Sequence, residues 1–187
     1  MKLDKTINLA TGVLGLAGSA DGARLYAVCM DGKIFEIIVE TGAVTPLPDA
    51  HTSYASVCVL LPDGKTLISG GYDGCLLWHD VAAKRLIRRV KAHDFWSWQM
   101  ALAPDGRRVA SVSGQFLVGS EKYEPASSPS PTVRVYDTAS GKLVLSFEHL
   151  PPVLSTAFSP DGKHLAVANM MGDVRIWNLA TGQMTAE

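Results

Sequence analysis

The chain has 187 residues, with 17 Lys plus Arg against 18 Asp plus Glu and a formal net charge of -1. A chain of that length buries roughly 70% of its unfolded surface, so its stability requires neither disulfides nor a structural metal. Near-neutrality gives no overall attraction to nucleic acid or to an anionic membrane, which leaves partner choice to local patches.

The opening MKLDKTINLATG lacks the apolar run of a secretory signal, and no later stretch of about 18 apolar residues could span a bilayer as a helix. A soluble, cytoplasmic protein is the expectation. Cys29, Cys58 and Cys75 are odd in number and form no C-x-x-C, so they read as small core residues rather than as a disulfide or zinc framework.

In chain order, MKLDKTINLA matches the end of an edge strand, with Leu3 and Ile7 aligned on Leu143 and Phe147. VLGLAG, RLYAVC and GKIFEII follow as short alternating runs, separated by the turns SADGA and MDG, and ETGAV leads into a fourth. Such runs, bounded by Gly, Pro and Asp, predict antiparallel strands joined by tight turns. The grammar then returns. SADGARL, LPDGKTL, APDGRRV and SPDGKHL place Asp-Gly at 21, 63, 105 and 161, with intervals of 42, 42 and 56 residues. The repeats run approximately over 3–48, 49–90, 91–147 and 148–187, each with four predicted strands, a to d.

A sheet of about 40 residues cannot bury both faces alone, so units of this kind stack face to face. The fold class expected over 1–187 is all-β, a β-propeller of about four blades. The pattern resembles the WD-repeat (WD40) family, most clearly through AFSPDGKHLAVANMMGDVRIWNLATG, Ala157 to Gly182. The family's Gly-His is represented by Ala50-His51, Ala92-His93 and Glu148-His149, each His 12 residues ahead of its Asp-Gly. Its closing Trp-Asp is represented by Trp177-Asn178 and Tyr136-Asp137, and more weakly by His79-Asp80 and Ile37-Ile38.

The resemblance implies a buried network in each blade that joins the His to a Ser of strand b, an Asp of the b to c turn and an aromatic of strand c. The residues so placed are His51, Ser69 and Asp73; His93, Ser111 and Tyr136; and His149 with Trp177. Every set is incomplete. His79 replaces the Trp of the second repeat, an insertion removes the Asp of the third, Val167 and Met171 stand at the Ser and Asp positions of the fourth, and Leu9 stands at the His position of the first. Three His residues in three blades lie too far apart to share one metal ion.

AKRLIRRVKAH gathers Lys84, Arg85, Arg88, Arg89 and Lys91, which the register of the repeat assigns to strand d, an exposed blade edge where charge opposes aggregation. Two features exceed the repeat. An insertion at about 114–130 follows strand b of the third repeat, where Asp105 and Pro131 are 26 positions apart against 11 in the other repeats. HDFWSWQM adds Asp94, Phe95, Trp96 and Trp98 to the d to a loop and the start of strand a. With Phe116, Tyr123 and Glu124 of the insertion, these form the candidate partner-binding residues. The rival reading has the insertion fold over the same rings as a private core.

The function expected is a non-catalytic scaffold that binds a protein or peptide partner through its top-face loops, without nucleic acid, membrane, metal or cofactor. Two alternatives stand beside it: a structural segment of a larger multi-blade protein, and a small-ligand or enzymatic propeller. No Ser-His-Asp grammar, H-E-x-x-H or phosphate-cradling Gly loop supports the latter. Four blades leave three ways to satisfy the end faces: further blades of a longer chain, a homodimeric eight-bladed ring, or a strained four-bladed ring.

Overall fold

A computed structural model describes residues 5–114, 131–150 and 152–186. These residues form sixteen strands and no helix. The first eight are β1 Val13–Gly18, β2 Arg24–Cys29, β3 Ile34–Ile38, β4 Val44–Pro46, β5 Ala55–Leu60, β6 Thr66–Gly71, β7 Cys75–Asp80 and β8 Arg85–Lys91. The rest are β9 Ser97–Leu102, β10 Arg108–Ser113, β11 Val133–Asp137, β12 Leu143–Phe147, β13 Val153–Phe158, β14 His164–Asn169, β15 Val174–Asn178 and β16 Met184–Ala186. Each run of four pairs in chain order into an antiparallel sheet, which gives four blades with the predicted strands a to d.

The recurring Asp-Gly has a physical cause. At every a to b turn the Gly takes a positive φ (69°, 65°, 70° and 68° at Gly22, Gly64, Gly106 and Gly162), which a side chain would strain. The preceding Asp carboxylate accepts a backbone N–H two residues on, from Ala23, Lys65, Arg107 and Lys163. The two residues together fix the hairpin and so the register of strands a and b. At the c to d turn Gly42, Gly141 and Gly182 play the same part, but blade 2 has Lys84 there, forced to φ 49°.

The blades stack through three apolar interfaces. Tyr26, Val28, Ile34 and Leu47 of blade 1 meet Ala55, Cys58, Leu67 and Val81 of blade 2. Ile68, Leu76 and Trp78 then meet Met100, Val109 and Tyr136, and Ala110, Val112, Val133 and Val135 meet Val153, Leu165, Val167 and Trp177. The strand a positions pack on one another in sequence, β1 on β5, β5 on β9 and β9 on β13, and no comparable packing joins β13 to β1. The described residues therefore form an open arc, and the strained four-bladed ring is not what the chain adopts.

A second expectation is corrected at the N-terminus. Among the described residues the segment 5–10 is no strand, although Ile7 and Leu9 pack on Ala27, Cys29 and Ile37 of blade 1. It lies on the face that a preceding blade would occupy, and among the described residues it pairs with no strand. Leu3 lies outside the described residues.

Candidate interaction surface

Asp73 completes the polar network of blade 2. His51 donates from Nδ1 to Asp73 Oδ1 at 2.9 Å and accepts at Nε2 from the Ser69 hydroxyl at 2.9 Å. Thr52 and Cys75 donate their backbone N–H groups to the same carboxylate, and Arg89 adds an ion pair at 3.2 Å. Burial pushes the Asp73 carboxyl up, but the His51 hydrogen bond and the two backbone N–H groups outweigh it and hold it well below the usual carboxylate range. Gly71 is obligatory beside this network, because a Cβ there would lie 2.4 Å from His51 Nδ1.

The other two sets differ from the expected network. His93 lies 2.9 Å from Ser111 Oγ, which in turn lies 2.9 Å from Ser97 Oγ. Tyr136 does not join them, since its hydroxyl points to the Ala92 carbonyl at 3.3 Å. Burial, with a smaller contribution from the Arg134 charge, lowers His93 to about 3, so the ring is neutral, and its Nδ1 makes no hydrogen bond among the described residues. In blade 4 His149 donates to the Leu150 carbonyl, and its ring centroid lies 5.9 Å from that of Trp177. Asn169, unmarked in the sequence reading, shapes that turn instead: its Oδ1 accepts from Met171 and Asp173. His79, in the Trp position of blade 2, donates to the Pro48 carbonyl. Among the described residues no group of three or more His, Cys, Asp or Glu could hold a metal ion.

The basic run is internally engaged. Strand β8 is the edge of its sheet, as the register predicts. Lys84 pairs with Glu36, Arg85 with Asp80 and Arg89 with Asp73, Lys91 donates to the Asp73 carbonyl, and Arg88 lies over the Trp78 ring. Arg89 also donates to the Ala50 carbonyl, the role that Arg134 and Arg175 of strand c play at Ala92 and Glu148. In blade 2 strand c has Leu77 at that position, and Arg89 reaches the carbonyl from the residue directly opposite it.

The added aromatics are brought together. Trp96 and Trp98 stack with Tyr72, at centroid distances of 4.7 and 5.7 Å, and Tyr54 adds a fourth ring 5.4 Å from Tyr72. The stack therefore spans the top loops of blades 2 and 3. Trp98 owes its direction to a β-bulge: the ladder steps from Ser97 to Gln99 and leaves Trp98 unpaired, as it leaves Leu14, Ser56 and Leu154 in the other blades. Gly114 lies flat on the Trp98 ring, where a Cβ would come within 2.8 Å. Asp94 and Phe95 sit exposed beside the stack, while Phe116, Tyr123 and Glu124 lie outside the described residues.

Tyr54 and Tyr72 are absent from the sequence reading, although the repeat contains the signal. In each blade the residue after strand b donates its N–H to the carbonyl of a residue just before or at the start of strand a: Met30 to Gly12, Tyr72 to Tyr54, Gly114 to Trp96 and Met170 to Pro152. Blade 2 carries a ring at both positions, and this pairing is visible only once the loops are aligned blade by blade.

Four-stranded meanders stacked through their faces around their strand a edges define a propeller-type fold. The whole chain superposes on a chain of Kuenenia stuttgartiensis hydrazine synthase with a TM-score of 0.78 at 18% identity, covering 51% of that chain. The chain carries WD40 repeats: the model of the WD domain, G-beta repeat, matches residues 44–80 and 141–178. Each match starts in or beside a strand d and closes at the end of the next strand c. WD repeat-containing protein SL1-17 of Schistosoma mansoni is 24% identical over 92% of this chain and 52% of its own length. Autophagy-related protein 16 of Arabidopsis thaliana is 26% identical over 85% of this chain and 29% of its own length. The chain thus spans about half, or less, of the relatives it matches. Repeats of this family serve in general as scaffolds for protein interaction.

Proposed function

We propose that the chain is a non-catalytic scaffold that holds a protein or peptide partner on the top face of blades 2 and 3. The observation that carries this reading is the continuous four-ring cluster Tyr54, Tyr72, Trp96 and Trp98, with Phe95 beside it. Large aromatics fixed by their neighbours lose little entropy on binding and dominate interface energetics. Tyr54 and Phe95 are the exposed members, so they are the first contacts; Tyr72 and Trp98 hold the stack flat beneath them. Such a surface suits a partner that lays a proline, aromatic or guanidinium group against it.

A displayed peptide library selected on the chain tests this, because Tyr54→Ala with Phe95→Ala removes exposed rings without opening the core. Selected peptides are expected to lose at least tenfold in affinity on the double variant, whose circular dichroism stays unchanged. Peptides that bind both forms equally would place the binding surface elsewhere.

A further inference from the structure

The first residue of strand b faces the following blade at the bottom of each junction between blades, and in blades 1 and 3 it is an arginine. Arg108 of blade 3 donates from Nη2 to the Gly162 carbonyl, in the a to b turn of blade 4, at 2.8 Å and lies 5.9 Å from the Phe158 ring. Arg24 of blade 1 pairs with Glu36 at 3.4 Å, and Lys84 of blade 2 reaches the same carboxylate at 3.3 Å. Blade 2 has Thr66 at this position. Its short side chain turns back to the Asp63 carboxylate at 3.2 Å instead of crossing to blade 3.

The junction of blades 2 and 3 accordingly holds a cavity of about 430 Å3, bounded by Thr66, Trp78 and the a to b turns of both blades. That volume is near the lower end of ligand pockets, roughly 300–1,000 Å3, and suits one long side chain better than a large ligand. Trp78 at its floor is itself a departure from the repeat, opposite Ile68 where the register places Glu36 and Val135 in blades 1 and 3. Arg88 lines the cavity from strand d, not from the vacant position, with its guanidinium over Trp78 and against Gly141, where a Cβ would come within 2.8 Å of Nη1. Two carboxylates, Asp63 and Asp105, against the one guanidinium of Arg88 leave the lining one negative charge.

We propose that this cavity binds the guanidinium of an arginine side chain presented by a partner polypeptide. Arg108 is the template within the same molecule: Gly106 stands in the a to b turn of blade 3 where Gly162 stands in blade 4, and the side chain that would reach it from blade 2 is missing. The Gly106 carbonyl accepts the Thr138 hydroxyl at 2.8 Å and keeps a second lone pair for an incoming N–H. Asp105 uses Oδ1 for the Arg107 N–H at 2.9 Å, which leaves Oδ2 for a charge-assisted bond. A guanidinium carries several N–H donors in one plane and can serve both acceptors at once, which a single ammonium does less well. The site lies in the middle of the arc, on the face opposite Tyr54 and Phe95, so it is independent of what the top-face aromatics bind.

Amide chemical shifts of the full chain, followed while N-acetyl-arginine amide or its uncharged isostere N-acetyl-citrulline amide is added, test the site. The arginine probe is expected to give saturable shifts at Thr66, Gly106 and Thr138, and the citrulline probe to bind roughly tenfold more weakly. Thr66→Arg gives blade 2 the side chain that blades 1 and 3 already carry, so it fills the cavity from within and abolishes those shifts. Asp105→Asn keeps the turn acceptor but removes the charge, and weakens binding severalfold. No saturable shift, shifts confined to the loops of Tyr54 and Phe95, equal binding of the two probes, or unchanged binding by either variant would overturn the proposal.

Discussion

Blades 1 and 2 carry an aspartate at the same turn position, Asp31 and Asp73, but only Asp73 faces a histidine, and this pair isolates the value of the polar network. Asp73→Ala removes the partner of a fully buried His51 Nδ1, two backbone N–H groups and an arginine at once. Removing one side of a buried hydrogen-bonded pair costs about 3–5 kcal/mol, and partial access of water to the Arg89 side lowers the expected loss to about 2–3 kcal/mol. Asp31→Ala loses one N–H bond and a solvent-facing Lys33 pair, worth below about 1 kcal/mol. Urea unfolding at fixed protein concentration reads the difference. With a slope of about 2 kcal/mol per molar, Asp73→Ala moves the midpoint down by about 1 M and Asp31→Ala by less than half of that. Equal shifts for the two variants would mean that the His51 network adds nothing beyond the turn.

Acid should destabilise the chain in two stages. His79, His93 and His149 are all lowered by burial, so below about pH 6.5 the unfolded chain binds protons that the native one refuses, and stability falls as pH drops, for His93 down to about 3. Asp73, depressed in the native state, adds a second loss below about pH 4; Asp73→Asn should flatten that part of the profile, and an unchanged slope would refute its assignment. Lys84→Gly exchanges a left-handed lysine, strained by about 1–2 kcal/mol, for the loss of a half-exposed pair with Glu36 worth at most about 1 kcal/mol. The variant should melt higher than wild type. Burial raises the Cys29 thiol and pushes Cys58 to about 12, so a thiol reagent applied to native protein should label half-buried Cys75 first.

The blades were legible because Asp-Gly turns, β-branched alternation and a fixed spacing act locally, and each is written out four times. Even the anomaly at Lys84 sits where the repeat places a turn. The polar network was less legible, since it depends on direction as well as register. Tyr136 stands at the aromatic position, yet its hydroxyl reaches a backbone carbonyl of the incoming loop; His149 turns to its own neighbour because Val167 offers it no hydroxyl. The aromatic surface was half legible. Trp96 and Trp98 stand out as adjacent additions, but Tyr54 and Tyr72 lie 18 residues apart and meet only through the bond between their backbones.

That unevenness implies a gradient of local stability along the arc. Blade 2 has neighbours on both faces, a satisfied His51, and a Trp78 indole that donates to the Thr138 carbonyl of blade 3 at 2.9 Å. Blade 4 has one covered face, a strand β16 of three residues, and a buried His149 whose Nε2 makes no hydrogen bond among the described residues. In stacked repeats each unit is held by its own stability plus that of its interfaces, so the unit with one interface opens first. Hydrogen exchange should find the β14 amides of Ala166 and Ala168 exchanging at least tenfold faster than Ile68 and Gly70 at the same positions of β6. Equal protection of β6 and β14 would refute the gradient and show that blade 4 is held as firmly as blade 2.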